Sequence, residues 1–496
     1  MMETRSVFEQ RLFYGLLALL VWLPLPLASN RPWGVALFEI WIALLGLMWL
    51  TGWQRKVVMP GAALSGAKPM LLLLAIWLLY LALSLLPLPL AWRMVLSPES
   101  AAMYSLAGVD GWAPLSVYPY EGYLYWMKSI AYALLFVLVL LLVNSKQRLV
   151  LLAYTLVLSG LFQAFFGSIM TLSDVEYGFF VPKEAYVGYA TGTFVNRNHL
   201  AGYLEMALAI GIGLMMASAS TGEKTGTWRQ QLRSLISLLL SQKLVLRLML
   251  AMMVIALVLT RSRMGNTAFF ASMLVAGLIF LLVFRAQSGS VREMFSRRDT
   301  RATVILLTSL MVIDLFIVGA WFGVEKVVAR IEQSSMSHDA DRIEVSLKTI
   351  KLWQDYPLAG SGGGSFHMVF PRYRPDTIVA AYDHAHQDYL EIAADTGILG
   401  LGLLGLMVLL SFLAALAALY RRHDPLMRGM AFASVMGISA LLIHSTVDFN
   451  LQIPANAATF MVILALGWIA LNLDKRPRGN NGSGSVAGRG ASSHAK

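Results

Sequence analysis

The stretch LAGYLEMALAIGIGLMM, residues 200–216, decides the fold, because an apolar run of this length can cross a lipid bilayer. The segment directly before it, GTFVNRNH at 192–199, ends in two asparagines, an arginine and a histidine. Hydrocarbon cannot hydrogen-bond such groups, so placing them beside a membrane helix costs free energy. Their presence at the end of this helix indicates either side chains that snorkel to the membrane surface or a site that uses them.

The composition is that of an integral membrane protein. Of the 496 residues, 57% are hydrophobic and 14% are charged, whereas soluble domains have about 25% charged residues. The first apolar run, residues 13–29, lacks a clear small-residue cleavage site, so we expect a membrane anchor and not a cleaved signal peptide. The chain has no cysteine, which excludes disulfides and thiolate metal sites.

Apolar segments of roughly 17 to 25 residues predict an all-α protein with about twelve transmembrane helices. The predicted spans are 12–28, 34–51, 70–88, 129–143, 149–170, 199–218, 248–260, 265–284, 303–323, 396–420, 429–446 and 457–473. With a cytoplasmic N-terminus, most of the 39 lysines and arginines fall on the cytoplasmic side, as the positive-inside rule requires. The net charge of +11 is therefore an orientation signal and not a nucleic-acid footprint. Both termini are expected in the cytoplasm.

These spans divide the chain into four regions. Residues 1–323 hold helices 1–9, residues 324–395 form a long outward loop or cap, residues 396–475 hold helices 10–12, and residues 476–496 are a Gly/Ser-rich tail expected to be disordered. The loop is predicted to be partly helical. Its segment SHDADRIEVSLKTIKLWQ, residues 337–354, has Ile343, Leu347 and Ile350 at the spacing of an amphipathic helix.

Four polar motifs reach the outer side in this topology. They are Arg197 with His199 at the end of the sixth span, Arg261 with Arg263 in the turn 260–266, the pair His384 and His386 in the loop, and the turn HSTVDFNLQIPANA at 444–457. Guanidinium groups match phosphate oxygens and stay charged, and a histidine can accept a proton near neutral pH. Together they suit displacement of a phosphate leaving group by a hydroxyl. The run GSGGGS, residues 360–365, lacks the ending of a nucleotide-binding P-loop.

The same motifs resemble the signature regions of the O-antigen ligase and polymerase superfamily. The similar segments are NRNHLAGYL at 196–204, the pair Ser262–Arg263, HAHQDYLEIAADTGILG at 384–400 and the turn 444–457. The resemblance implies a bacterial inner-membrane, metal-independent, inverting glycosyltransferase of the GT-C type, without a cofactor. Such enzymes take a glycan from undecaprenyl diphosphate on the periplasmic side.

The resemblance also implies roles for individual residues. Arg263 and Arg197 are expected to hold the diphosphate, with Arg261 and His199 as further candidates. His386 is expected to be the catalytic base that activates the acceptor hydroxyl, and His384 is the alternative. The family often has His-Asn where this chain has His386–Gln387.

A second set of polar residues is expected to support the site. They are Asn196, Asn198, Glu205, Asp448, Asn450 and Gln452. Glu205 lies on the same helical face as Asn198, where it could pair with an arginine or be a structural carboxylate. No metal site is predicted, because acidic residues at a helix start explain the motif of Asp339 and Asp341.

The acceptor stays open at this point. A polymerase would extend a lipid-linked repeat unit for O-antigen or exopolysaccharide, a ligase would complete lipopolysaccharide on the lipid A core, and a protein O-oligosaccharyltransferase would modify serine or threonine. A lipid-linked oligosaccharide flippase or another transporter is the alternative from a different class, and Glu39 and Asp314 inside predicted spans would suit it. A transporter, however, should carry its polar site near the bilayer midplane on broken helices, whereas these motifs share one face.

Overall fold

The computed structural model describes residues 2–178, 180–219, 242–288, 336–376, 378 and 381–473, and a few isolated positions between 304 and 312. Most of the predicted ninth span, with Asp314, and the predicted tail 476–496 lie outside the described residues. The side chains of Asp339 and Asp341 lie outside them too.

The described chain is almost entirely helical. Its helices are α1 (Met2–Trp22), α2 (Pro32–Gln54), α3 (Ala62–Gly66), α4 (Lys68–Leu85), α5 (Leu90–Leu96), α6 (Pro98–Leu106), α7 (Pro119–Leu142), α8 (Lys146–Leu172), α9 (Arg197–Ala219), α10 (Gln242–Leu259), α11 (Arg263–Gln287), α12 (Met336–Asp355), α13 (Phe366–Val369), α14 (Asp388–Arg421), α15 (Pro425–His444) and α16 (Pro454–Asn472). Short 3-10 helices lie at Leu27–Ser29, Phe370–Arg372 and Asn450–Gln452. A small antiparallel hairpin pairs β1 (Tyr177–Gly178) with β2 (Val181–Pro182).

Every predicted span except the ninth coincides with a helix. Within the described residues, nine helices are long and apolar enough to cross a membrane, namely α2, α4, α7, α8, α9, α11, α14, α15 and α16. The seventh predicted span is the shorter apolar helix α10, and the first is α1, which is not among the nine. The predicted all-α multi-pass membrane fold is confirmed, while the count of twelve stays a prediction.

Three helices form the centre of the bundle. In the apolar windows of α9, α15 and α16, 94%, 78% and 89% of the residues are buried inside the protein. Helices α9 and α15 touch through Gly213 and Gly429, where an added Cβ would lie 2.3 Å and 2.2 Å from the carbonyl oxygen of the other glycine. Small residues at such crossings let two membrane helices approach closely.

The loop between the ninth and tenth spans has a small core of its own. Residues on α12, α13 and the following chain form a separate hydrophobic cluster that includes Val345, Leu352 and Phe366. Helix α12 occupies the segment where an amphipathic helix is predicted. Two residues of its predicted apolar stripe are not in this core, because Ile343 and Leu347 are 63% and 59% exposed.

A glycine breaks helix α14 near its start. Gly397 has φ +65°, and a Cβ there would lie 2.0 Å from the carbonyl oxygen of Leu358. Only glycine tolerates both the left-handed backbone and this contact. The helix is therefore kinked at Gly397, after which it continues to Arg421.

Candidate functional site

A cavity of about 520 Å³ lies at one end of the bundle, between the first turns of α9 and α11, helix α12, and the segments around residues 386 and 447. Its lining residues come from five separate stretches of sequence. They are Arg197, Asn198, Ser262, Arg263, Met264, Arg342, Ile343, Ser346, Leu347, His386, Gln387, Thr446, Val447 and Asp448. Three guanidinium groups and one imidazole thus border the same space.

Arg197 is the first residue of α9, and aromatic rings hold its side chain. The guanidinium carbon is 4.1 Å from the ring centroid of Tyr189 and 5.8 Å from that of Tyr186, and its buried Nε has no hydrogen-bond partner among the described residues. Arg261 approaches the same Tyr189 ring at 5.3 Å but does not line the cavity. Cation–π contacts fix a guanidinium while leaving its N–H groups for a ligand.

The turn between α10 and α11 delivers Arg263. Ser262 caps α11, since its Oγ accepts a hydrogen bond from the backbone N–H of Gly265 at 3.1 Å. An added Cβ on Gly265 would be 2.5 Å from the Cβ of Ala201, so the two helix starts are in contact. The positive ends of two helix dipoles therefore accompany Arg197 and Arg263 at the cavity, which favours an anionic ligand.

Arg342 is a third cation that the sequence reading missed. It lies on α12 and lines the cavity together with Ile343 and Leu347. No pattern separates it in sequence from the other basic residues of that helix, Lys348 and Lys351. Only the packing of α12 against α14 brings it to the site.

Three histidines pack around Phe449. The ring of His384 stacks on Phe449 with centroids 4.3 Å apart, while His199 and His386 meet it edge-on at 4.5 Å and 4.9 Å. Phe449 belongs to the turn 444–457 and was not among the predicted site residues. His199 is 4% exposed and lies behind this ring, outside the cavity lining.

His384 has a carboxylate partner. Its Nδ1 is 2.7 Å from Oε1 of Glu391, and the other carboxylate oxygen of Glu391 accepts a hydrogen bond from the backbone N–H of Ala385 at 2.8 Å. Burial lowers the pKa of His384, but the Glu391 carboxylate outweighs burial and raises this pKa above its ordinary value. Glu391 was not predicted either.

His386 has the opposite environment. Burial, and then the positive charge of Arg342, lower the pKa of His386 to about 4. Its buried Nδ1 has no hydrogen-bond partner among the described residues, and its backbone has φ +54°. Left-handed backbone at a non-glycine residue costs free energy and often occurs at functional sites. The imidazole of His386 is therefore neutral near pH 7, which is the form in which a histidine can accept a proton.

A buried row of acids and imidazoles runs from the bundle interior to the cavity. Oε1 of Glu205 is 2.8 Å from Nδ1 of His444, and both side chains are fully buried. Asp448 lies 4.0 Å from His444 and 3.5 Å from His199. Glu205 therefore pairs with a histidine and not with an arginine, and Asp448 connects this row to the cavity.

Amides and one further carboxylate hold the turn 444–457 in place. Nδ2 of Asn456 donates to the backbone oxygen of His199 and to Oδ1 of Asn450, both at 2.9 Å. Asp388 accepts hydrogen bonds from Oγ of Ser445 at 2.7 Å and from the backbone N–H of Leu451.

The remaining predicted supporting residues are spread over the site. Asn196 accepts a hydrogen bond from the backbone N–H of Asn198 at the start of α9. Gln452 borders a different cavity, between α4, α7, α14 and α16.

One family of known proteins matches part of the chain. Residues 248–405 match the family model described as O-antigen ligase. This range contains Arg263, Arg342 and His386, and leaves out Arg197 and the turn 444–457. The match confirms the resemblance to the O-antigen ligase and polymerase superfamily, and it supports a membrane enzyme of ligase or polymerase type that acts on glycans. No curated protein matches the chain.

Proposed function

We propose that this protein, which resembles the O-antigen ligases and polymerases, is an inner-membrane glycosyltransferase. It transfers a glycan from undecaprenyl diphosphate to an acceptor hydroxyl on the periplasmic side, without a metal ion. The observation that carries the proposal is that Arg197, Arg263, Arg342 and His386 line one cavity.

The three arginines bind the diphosphate of the donor. Each guanidinium offers several N–H donors in a plane, which match the oxygens of a phosphate. The starts of α9 and α11 add the positive ends of two helix dipoles. The negative charge that develops on the leaving diphosphate is therefore stabilised by groups that are in position before the reaction.

His386 accepts the proton of the acceptor hydroxyl. The hydroxyl oxygen then forms a bond to the anomeric carbon, and the bond from that carbon to the diphosphate oxygen breaks. The electron pair of this bond leaves with undecaprenyl diphosphate. Attack from the face opposite the leaving group inverts the anomeric configuration.

Three acceptors fit this reaction. They are the hydroxyl of another lipid-linked glycan, which gives O-antigen or exopolysaccharide, a hydroxyl of the lipid A core, which gives lipopolysaccharide, and a serine or threonine of a protein. We favour polymerisation of the exopolysaccharide type. Product analysis with one defined donor and two alternative acceptors separates these reactions.

The test of this function is turnover by the purified protein. We expect transfer from an undecaprenyl diphosphate glycan in buffer that contains a chelator. Arg263→Ala and His386→Ala should each lower turnover by about 100-fold or more, the usual effect of losing an electrostatic stabiliser or a general base.

The matched controls lie at the opposite end of the bundle. Arg285→Ala changes an arginine in the last turn of α11, and His423→Ala changes an exposed histidine between α14 and α15. Both should keep near-normal turnover. Full activity of Arg263→Ala or His386→Ala would remove that residue from the mechanism, and activity that disappears with chelator would contradict metal independence.

A further inference from the structure

A second cavity, of about 140 Å³, lies within the bundle between α4, α7, α14 and α16. Most of its lining is apolar, including Trp77, Met407 and Phe460. For comparison, an engineered protein cavity of about 150 Å³ takes up one benzene molecule. The space therefore suits roughly one branched unit of a hydrocarbon chain.

One lysine faces this apolar space. Lys128 lines the cavity from the tenth position of α7, a helix long and apolar enough to span the membrane. Its Nζ is 5.6 Å from the ring centroid of Tyr125, and within the described ranges it forms no hydrogen bond and no ion pair within 4.0 Å. A charged group inside a membrane span is costly and usually marks a site that uses its charge.

The carboxylates around Lys128 act on it only from a distance. They are Glu39, Glu121, Glu391 and Asp395. Glu391 is already bonded to His384, and Asp395 accepts a hydrogen bond from the backbone N–H of Gly364. The ammonium group of Lys128 is therefore left for an anion that enters the cavity with a hydrocarbon chain.

Two residues that line this cavity are close in the chain to the histidine cluster. Its lining includes Ile392, next to Glu391 on α14, and Leu451, two residues after Phe449. The arginine cavity touches the same cluster at His386 and Asp448. The arginine cavity thus touches the histidine cluster directly, and the apolar cavity is lined by residues next to it in the chain.

We propose that the Lys128 cavity binds the lipid of the acceptor, with a polyprenyl chain against its apolar wall and the lipid phosphate at Lys128. This rests on the proposed function, in which the arginine cavity takes the donor diphosphate. Binding there brings the head group of the second lipid to the histidine cluster, beside the bound donor.

The experiment measures binding without turnover. The protein is reconstituted in nanodiscs of phosphatidylethanolamine and phosphatidylglycerol, labelled with a photoreactive polyprenyl monophosphate, and mapped by mass spectrometry. Labels should fall on α7 and α16 at this cavity. Lys128→Met, which removes the charge and keeps an apolar chain, and Ala133→Phe, which fills the space, should each lower this labelling at least fivefold.

Lys68→Met is the matched control, since Lys68 is an exposed lysine at the first position of α4, outside the cavity. It should label like the wild type. Unchanged labelling in Lys128→Met, in protein that elutes and melts like the wild type, would overturn the proposal, and this variant decides the matter if Ala133→Phe does not fold. Displacement by excess phosphatidylglycerol would overturn it as well, since the site would then take any anionic lipid.

A kinetic arm separates this proposal from the proposed function. In the transfer assay, Lys128→Met should raise the KM for a lipid-linked acceptor at least fivefold and leave the KM for the donor unchanged. If Lys128→Met turns over with an unchanged KM for the acceptor, the acceptor site is contradicted and the transferase function is not. If the lipid labels the Lys128 cavity but the protein shows no transfer, the transferase function is contradicted and the lipid site is not.

Discussion

His384 and His386 are two positions apart in the chain but lie in different electrostatic environments. Glu391 binds His384 and raises its pKa, whereas burial and Arg342 lower the pKa of His386 to about 4. A base works only in its neutral form, so the two candidates predict different pH profiles.

We predict that kcat/KM keeps its full value down to about pH 5.5 if His386 is the base, since a group of pKa about 4 is almost wholly neutral there. If His384 is the base, kcat/KM at that pH should already be reduced more than about tenfold, because its pKa lies above the ordinary histidine value of about 6.5. The measurement is the pH dependence of kcat/KM for the donor between about pH 5 and 8.

Two variants check the assignment. His384→Gln should keep the pH profile of the wild type if His384 only packs on Phe449 and binds Glu391, whereas His386→Gln should lose activity at every pH. If kcat/KM of the wild type falls on acidification with a midpoint above pH 6.5, the base is His384 and not His386.

Close helix packing depends on glycines at defined positions of α9 and α15. Gly213 and Gly429 face each other, and an added methyl group on either would collide with the backbone of the partner helix. A backbone atom cannot move away as a flexible side chain can. Arg197 begins α9 and His444 ends α15, so both helices that cross here also carry residues of the polar cluster.

We predict that Gly213→Ala destabilises the protein by about 1 to 3 kcal/mol, the usual cost of overpacking a core. Thermal unfolding in detergent is the measurement. Gly402→Ala on α14 is the matched control, because nothing lies within 4 Å of its added methyl group. The control should be neutral or slightly stabilising, since alanine favours a helix more than glycine does. Equal stability of the two variants would contradict the packing argument.

The whole molecule gathers its polar motifs at one end of the bundle. The cavity is lined from the starts of α9 and α11, from α12, from the start of α14 and from the segment after α15. The turn at His423 lies at the opposite end, between the last residue of α14 and the first of α15. The proposed function requires the first end to face the periplasm.

We predict that single cysteines at Arg261 and Ala381 react with a membrane-impermeant maleimide in intact spheroplasts. A cysteine at His423 should react only after lysis. All three positions are exposed, and the natural chain has no cysteine, so no background labelling is expected. Labelling of positions 261 and 381 from different sides of the membrane would exclude a shared site.

The sequence by itself determined the membrane class and most helices, and it supplied several of the polar residues that line the cavity. Apolar runs such as 200–216 predict spans because lipid forces the backbone of a crossing segment into a helix. Arg197 and Arg263 stood out because charged groups beside apolar runs are rare and costly, whereas His386 was expected only from the resemblance to the O-antigen ligases and polymerases. These signals are local, and a single sequence contains them in full.

Only the tertiary structure decided which polar residues share a space. Arg342, Phe449 and Glu391 reach the site through helix packing between segments far apart in the chain. Glu391 and Phe449 lie within the motifs 384–400 and 444–457, but only the packing shows that they contact the histidines. The same packing put His199 behind Phe449 and paired Glu205 with His444. Burial and neighbouring charges, which set the difference between His384 and His386, exist only once the helices have packed.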